Sequence, residues 1–297
     1  MEWKIVHIAE TDSTNRWLKD YDLTGGQPPC EVVVADFQTA GRGCGTNTWE
    51  SERGKNLLFS MLVHPTELPL DAVASPKRLP LDAVASPKRL PLDAVASPKR
   101  LPLDAVASPK RLPANRQFRI SMAISVAIVN ALSSYLSPLT SHLSSLISHL
   151  SPLSIKWPND IYVGDRKICG ILIENQLQGS SIKDSIIGVG LNVNQLRFVS
   201  DAPNPVSLAN LTGRQFDREQ LLQQLLEAFD AEWADLEGVR SRYLPLLYRR
   251  MGFHRYRDAQ SEFCAELVTV EDDGHLVLRN IDGYDHRYAF KEVQFVI

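Results

Sequence analysis

Apolar positions recur along this chain in two periods, and they divide it into strands and helices before any residue is singled out for chemistry. Residues 3–8 and Glu31 to Ala35 read as short strands, the second with an unbroken valine run that suits burial on both faces. Leu57 to Val63 reads as another. Between the first two, Asp12-Ser13-Thr14-Asn15 supplies capping chemistry for a short helix to about Tyr21. From about Gln117 to Leu136, the residues Ile120, Ile124, Ala127, Ile128 and Ala131 fall on one face at helical spacing. Further strands are expected at Ser154–Trp157, Lys167–Glu174 and Asp184–Asn192. A long amphipathic helix starts at Asp217, a capping residue with Gln220 three positions on. Its apolar face holds Leu221, Leu222, Leu225, Leu226, Phe229 and Trp233. From about Gly252 the period changes to short alternating strands: Phe263–Val270, Leu276–Arg279 and Tyr284–Phe290, divided by Asp-Gly turns. That tail reads as a small β-barrel.

Two tracts break the pattern. The unit Leu-Pro-Leu-Asp-Ala-Val-Ala-Ser-Pro-Lys-Arg begins identically at Leu68, Leu79, Leu90 and Leu101. Its 11 residues are shorter than a solenoid repeat, and its two prolines oppose both helix and central strand. The expectation is an expanded, extended surface loop, with a docking tract for a partner as the functional alternative. Leu132 to Ser154 recycles Leu-Ser and Ser-His-Leu words. Beyond Pro138 it is low in complexity, and a helical extension ending at Pro152 is one reading.

Composition narrows the class. Apolar residues at 44% and charged residues at 23% describe a globular chain able to bury a core. A net charge of −3 offers no global basic field, so nucleic acid is not an expected partner. Cys30, Cys44, Cys169 and Cys264 lack CxxC spacing, which argues against a zinc site or a disulfide scaffold and for a reducing, cytoplasmic setting. Met1-Glu2-Trp3-Lys4 lacks the shape of a secretory signal, and no apolar run is expected to approach a bilayer span.

Three stretches carry candidate chemistry. In Gln38-Thr39-Ala40-Gly41-Arg42-Gly43-Cys44-Gly45-Thr46-Asn47-Thr48-Trp49, glycines around one arginine allow close approach to a phosphate, and Trp49 offers a flat surface for a base. No Gly-Lys-Ser/Thr follows, so it is not a P-loop, and a flexible surface hairpin is the plain alternative. Lys156-Trp157-Pro158-Asn159-Asp160 is a strand–turn–strand signature whose Asn-Asp pair can hold magnesium and phosphate oxygens. Lys167 opens the apolar strand through Gly170-Ile171-Leu172-Ile173-Glu174, where it either faces a cleft or snorkels to solvent. Gly188-Val189-Gly190-Leu191-Asn192 allows a ligand close to the backbone, with Asn192 a candidate for ribose, purine or metal-bound phosphate. Gly-x-Gly alone is structural by default.

Taken together, Thr11-Asp12-Ser13-Thr14-Asn15, the Gly41-Arg42-Gly43 loop with Trp49, Lys156-Trp157-Pro158-Asn159-Asp160, Lys167 before Gly170–Glu174, and Gly190-Leu191-Asn192 occur in the order that resembles the biotin–protein ligases. The resemblance runs from about Ile8 to Asn194, apart from the inserted tracts, and extends weakly into the tail. It implies an α/β (α+β) fold, a mixed sheet with flanking helices like a class II synthetase, plus a small C-terminal SH3-like β-barrel. Residues 1–250 would form the catalytic domain, with insertions at 68–113 and 137–153, and residues 251–297 the barrel.

The resemblance further implies an ATP-dependent enzyme that makes biotinyl-5′-AMP and passes biotin to a lysine of a biotin carboxyl carrier domain. Arg42 and Lys167 would be catalytic. Ser13, Thr14, Gln38, Arg42, Gly43 and Lys167 would bind biotin, and Trp49, Lys156, Asn159, Asp160 and Asn192 would bind ATP, with Asp160 on magnesium. A lipoate or octanoate ligase of the same fold, or a non-enzymatic binding protein on a ligase core, are the alternatives. Family members with an N-terminal winged helix also bind DNA. The Thr11 motif starts too near Met1 for one, so a single-function enzyme is expected. Oligomeric state stays open, a homodimer included. The loop departs from the pattern at Cys44, where a second basic residue is usual; looser retention of the adenylate is the expectation, and a reactive thiol the alternative.

Overall fold

A computed structural model describes residues 3–23, 31–45, 47–67, 110–143, 153–199 and 204–297. The sequence expectations for the repeat tract up to residue 109, and for 144–152, fall outside the described residues. In chain order the elements are β1 (Ile5–Ile8), α1 (Thr14–Leu23), β2 (Val32–Ala35), β3 (Leu57–Val63), β4 (Thr66–Glu67), β5 (Lys110–Arg111), α2 (Phe118–Leu143), β6 (Leu153–Lys156), β7 (Asp160–Val163), β8 (Arg166–Gln178) and β9 (Ser181–Leu191). Then follow α3 (Leu208–Thr212), α4 (Arg218–Trp233), α5 (Val239–Tyr243), β10 (Phe253–Arg257), β11 (Glu262–Val270), β12 (Leu276–Asn280), β13 (Asp285–Tyr288) and β14 (Gln294–Phe295).

Seven strands make one sheet in the order β1-β2-β3-β9-β8-β7-β6. Only β1 and β2 run parallel; the other neighbours are antiparallel, so the sheet is mixed as expected. Its two faces follow from strand alternation. Val32 and Val34 of β2, with Leu57, Phe59, Met61 and Val63 of β3, pack into the main core with α2 and α4. Val33 and Leu62 point the other way and pack with Leu18 of α1. The run that reads as buried on both faces is so because helices cover both.

Asp217 caps α4 by accepting from the Glu219 and Gln220 amides, and the predicted stripe of Leu221, Leu222, Leu225, Leu226 and Phe229 is buried. The Ala114–Leu136 stretch has the length and mean hydropathy, 1.4, of a membrane span, contrary to the sequence expectation, but 78% of that window is packed inside the fold. It is the central core helix. Among the described elements, β4, β5, α3, α5, β10 and β14 had no sequence expectation. The Tyr284–Phe290 strand shortens to Asp285–Tyr288 because residues 289–292 form a turn, the Glu292 amide donating to the Ala289 carbonyl.

The second sheet, in the order β13-β12-β11-β10-β14, is antiparallel and built wholly from residues 253–295. Its buried side chains, Tyr256, Leu267, Leu276, Leu278 and Val293 among them, join the main core cluster. Arg119 of α2, 7% exposed, pairs with Glu237 and Asp272 across this junction.

Candidate active site

On the face of the large sheet turned away from α2, the central strands carry glycine where bulk would be expected. Ile171 of β8 and Ile187, Val189 and Leu191 of β9 enter the core. Their alternates, Gly170, Leu172, Gly188 and Gly190, line a cavity of about 1030 Å³. The missing side chains leave backbone as the floor. A Cβ on Gly188 would fall 2.1 Å from Asn15 Oδ1, and one on Gly190 2.4 Å from Trp49 Cε2, so neither position of β9 could carry alanine without movement.

The Gly41–Trp49 loop folds as a hairpin over this floor. Arg42 pairs with Thr48, the Gly43 amide donates to the Asn47 carbonyl at 2.8 Å, and the Trp49 amide donates to the Gly41 carbonyl at 2.9 Å. Arg42 Nη1 lies 3.7 Å from Glu174 Oε1. The Trp49 indole rests on Gly170 and Gly190, with Lys167 Nζ 5.7 Å from its ring centre. Its Nε1 is buried without an acceptor among the described residues.

Lys167 reaches the cavity through a bulge. Ile161 pairs with Cys169 but Tyr162 with Lys167, so Ile168 is an extra residue on β8. Ile168 and Cys169, adjacent in sequence, are both fully buried in the core. The extra residue inverts the alternation and turns Lys167 to the cavity face. There its Nζ lies 2.8 Å from Asp160 Oδ1. The Trp157–Pro158 peptide bond is cis, in the turn between β6 and β7.

Each side chain expected at the site lines this one cavity: Ser13, Thr14, Gln38, Arg42, Gly43, Trp49, Lys156, Asn159, Asp160, Lys167 and Asn192. Their polar atoms differ in how far they are engaged by the protein. Gln38 Oε1 accepts from the Thr14 amide at 2.8 Å and from Thr14 Oγ1 at 3.0 Å, fixing the start of α1 and leaving its NH₂ as the donor end. Asn159 Nδ2 donates to the Ile171 carbonyl at 3.1 Å. Asn192 is 2% exposed, donating to the Val206 carbonyl at 3.2 Å and accepting from Asn56 Nδ2 at 3.4 Å. Its amide thus has a protein partner at each end, while the residue lines the cavity. Trp157, which also lines the cavity, donates its Nε1 hydrogen to the Gly274 carbonyl at 3.0 Å.

Burial pushes the Lys156 ammonium below the usual lysine range, with Asp160 opposing and Lys167 adding to the shift. The ammonium sits between the Tyr162 ring at 5.3 Å and the Phe295 ring at 5.2 Å. Burial likewise raises the Cys44 thiol, Asp160 adding and Lys291 and Lys167 opposing, so this thiol is held protonated rather than activated.

Sequence reasoning missed a buried polar relay. Ser60 Oγ lies 2.6 Å from Asn15 Oδ1 and 2.7 Å from Thr14 Oγ1, and Asn15 Nδ2 donates to Glu174 Oε2 at 2.8 Å. The relay joins Gln38 to Arg42 through Thr14, Ser60, Asn15 and Glu174. Ser60 in the apolar run of β3 is the signal that could have shown it: a serine at 0% exposure needs partners. Phe290, Lys291, Gln294 and Phe295 of the second sheet also line the cavity, and no local pattern marks them.

A mixed sheet with a glycine floor and cations beside it forms a single deep cleft of positive and polar side chains. The biotin protein ligase from Aquifex aeolicus in complex with biotin and ATP superposes over 99% of both chains, with a TM-score of 0.62 and 20% identity. Residues 8–75 and 97–192 match the Biotin/lipoate A/B protein ligase family, and the chain belongs to that family. The bifunctional ligase/repressor BirA of Bacillus spizizenii is 24% identical over 292 residues, 95% of this chain and 70% of that protein. The biotin--[acetyl-CoA-carboxylase] ligase of Paracoccus denitrificans is 29% identical over 140 residues, 44% of this chain and 58% of that one.

Proposed function

We propose that this chain is an ATP-dependent biotin–protein ligase, its catalytic unit within residues 1–250 and residues 251–297 a small SH3-like unit that closes one side of the cavity. Arg42 and Lys167 lining one cavity, each beside a carboxylate, is the observation that carries the reading. A carboxylate and a triphosphate repel each other. Fixed cations between them remove that repulsion and stabilise charge as it develops, and losing one such group typically costs about 10²–10³ in rate.

Ser13, Thr14 and Gln38 supply the polar end of the acid's pocket. A ureido ring carries two donors and an acceptor, and each left unpaired in a buried site costs about 1–3 kcal/mol. The hydroxyls and the Gln38 amide meet that requirement, which favours biotin over lipoate or octanoate. Lys156, Asn159 and Trp49 face the nucleotide, and Asn192 holds the wall behind it. Magnesium binds through one or two carboxylates with phosphate oxygens and water. Asp160 fits that role, sharing its carboxylate with Lys167; the ion would add positive charge on the phosphates.

An oxygen of the biotin carboxylate bonds to the α-phosphorus, the bond to the β-phosphate oxygen breaks, and pyrophosphate leaves with the electron pair. The neutral amine of an acceptor lysine then bonds to the acyl carbon, AMP departs, and the amine loses a proton. A biotin carboxyl carrier domain is the acceptor, in a cytoplasmic setting. Exchange of labelled pyrophosphate into ATP, run with biotin and with lipoate, tests the first step, and mass spectrometry of a carrier domain's lysines tests the second. Exchange with biotin and one biotinylated lysine support the proposal. Exchange with lipoate alone transfers the chain to the other branch of the family, and no exchange leaves a binding protein.

A further inference from the structure

Four cations line the cavity, Arg42, Lys156, Lys167 and Lys291, the last with its Nζ 5.8 Å from the Phe290 ring centre. Arg42 faces Glu174, Lys167 faces Asp160, and Lys156 lies between two aromatic rings. Among the described residues, Lys291 has no carboxylate within the 4.0 Å of an ion pair. Its neighbour Glu292 is turned back on the chain, accepting from the Ala289 amide at 2.6 Å.

Lys291 is also held where a lysine is unfavourable. It is the third residue of the Ala289–Glu292 turn, with φ at +74°. Glycine or asparagine normally takes that position, since a Cβ crowds the following carbonyl in the left-handed region. Such strain persists where the surroundings over-determine it, and it concentrates at working sites. The backbone conformation aims the ammonium at the tip of the glycine loop. A Cβ on Gly45 would fall 2.2 Å from Lys291 Nζ, and Gly45 itself has φ at +71°. The ammonium thus lies directly against the Gly45 backbone, at a position whose positive φ favours glycine.

We propose that Lys291 is a phosphate-binding residue for the nucleotide, contributed by the C-terminal sheet, and that it meets the β- and γ-phosphates at the Cys44–Gly45 tip. The inference rests on the ATP-dependent reading above. A cation with no protein carboxylate is free to balance the charge that pyrophosphate takes away when its bond to the α-phosphorus breaks. A lysine suits this position, being a compact charge with three rotatable donors that can follow a phosphate leaving a glycine-rich tip. Because Lys291 belongs to the second sheet, the loop, the phosphates and that sheet become one closed assembly around the reaction.

The test is biotin-dependent exchange of labelled pyrophosphate into ATP by the full chain, for the native protein, Lys291→Gly and Lys291→Arg. Native exchange is read first; its absence defeats the ligase reading itself, before any variant is compared. Lys291→Gly removes the charge while relieving the left-handed turn, so the fold is kept or stabilised. With native exchange present, Lys291→Gly should raise KM for ATP and for pyrophosphate about tenfold, the scale of one charge-assisted hydrogen bond, and leave KM for biotin within about twofold. Lys291→Arg should recover most of that loss. Unchanged KM for both phosphate ligands in Lys291→Gly, or a rise for biotin as large as that for ATP, overturns the proposal.

Discussion

The indole of Trp49 lies on the backbone of Gly190: a Cβ at that glycine would stand 2.4 Å from Cε2 and 2.6 Å from Nε1. The loop and the central strand are thus fitted to each other through the absence of one methyl group. Gly190→Ala should lift the indole and with it the Arg42 hairpin. Displacement of about 1 Å in a reactant-positioning group can cost about 10²-fold in rate. Steady-state exchange kinetics should show a loss of that order in kcat/KM, while thermal melting moves little. Native kinetics in this variant would mean that the indole is no part of the working floor.

Asn15 joins the start of α1 to Glu174, the carboxylate that faces Arg42. Asn15→Ala leaves Ser60 and Glu174 each short of a buried partner, and a loss of about 1–3 kcal/mol is expected in urea unfolding. Asn15→Asp is expected to be worse. It sets a second carboxylate against Glu174, where the native amide donates at 2.8 Å, and raises the pKa of one of the two. Equal stability of the native protein and Asn15→Ala would show that the relay is idle.

Lys156 gives a pH signature. Burial holds its folded-state pKa below 10.5, so at neutral pH the charged folded form is disfavoured relative to the unfolded chain. Between the lowered value and 10.5 the unfolded state binds more protons, and stability rises with pH through that window. Lys156→Met should lack this rise and be at least as stable as the native chain at pH 7, while losing affinity for ATP. Unfolding curves for the two proteins from neutral to alkaline pH check the sign; parallel curves would remove burial of the ammonium as the cause.

In sequence, the repeats begin at Leu68, just after β3 and β4. Val63 pairs with Ser185, three positions along β9 from Gly188, which at ~3.3 Å per residue is roughly 10 Å from the near edge of the cavity floor. The strands on either side of the tract, β4 and β5, pair through Thr66 with Arg111 and Glu67 with Lys110. Deleting Leu79 to Arg111 brings Lys77-Arg78 next to Leu112, restoring the residues of β5 from an identical copy. Exchange activity should stay within about twofold of native, since the length of chain between β4 and β5 changes closure entropy only slowly. A large loss would give the tract a part in the fold or the reaction.

How much of this was legible beforehand depends on how far each feature is local. The α4 helix, its Asp217 cap and the short strands follow from period and capping chemistry, which act over a few residues. The site residues in Thr11–Asn15, Gln38–Trp49 and Lys156–Asp160 were visible because turns and glycines mark them. Asn192 was visible too, but not that its amide would be held by Val206 and Asn56. Lys291 was invisible, since nothing beside it in sequence shows that a second sheet comes to rest against the glycine loop.

The chain by itself determined which residues could serve: two cations, a glycine-rich hairpin, and strands whose alternate positions carry no side chain. Only the tertiary structure decided which way they faced. One extra residue, Ile168, turns Lys167 from the core to the cavity, because side chains alternate along a strand and a single inserted position reverses every one beyond it.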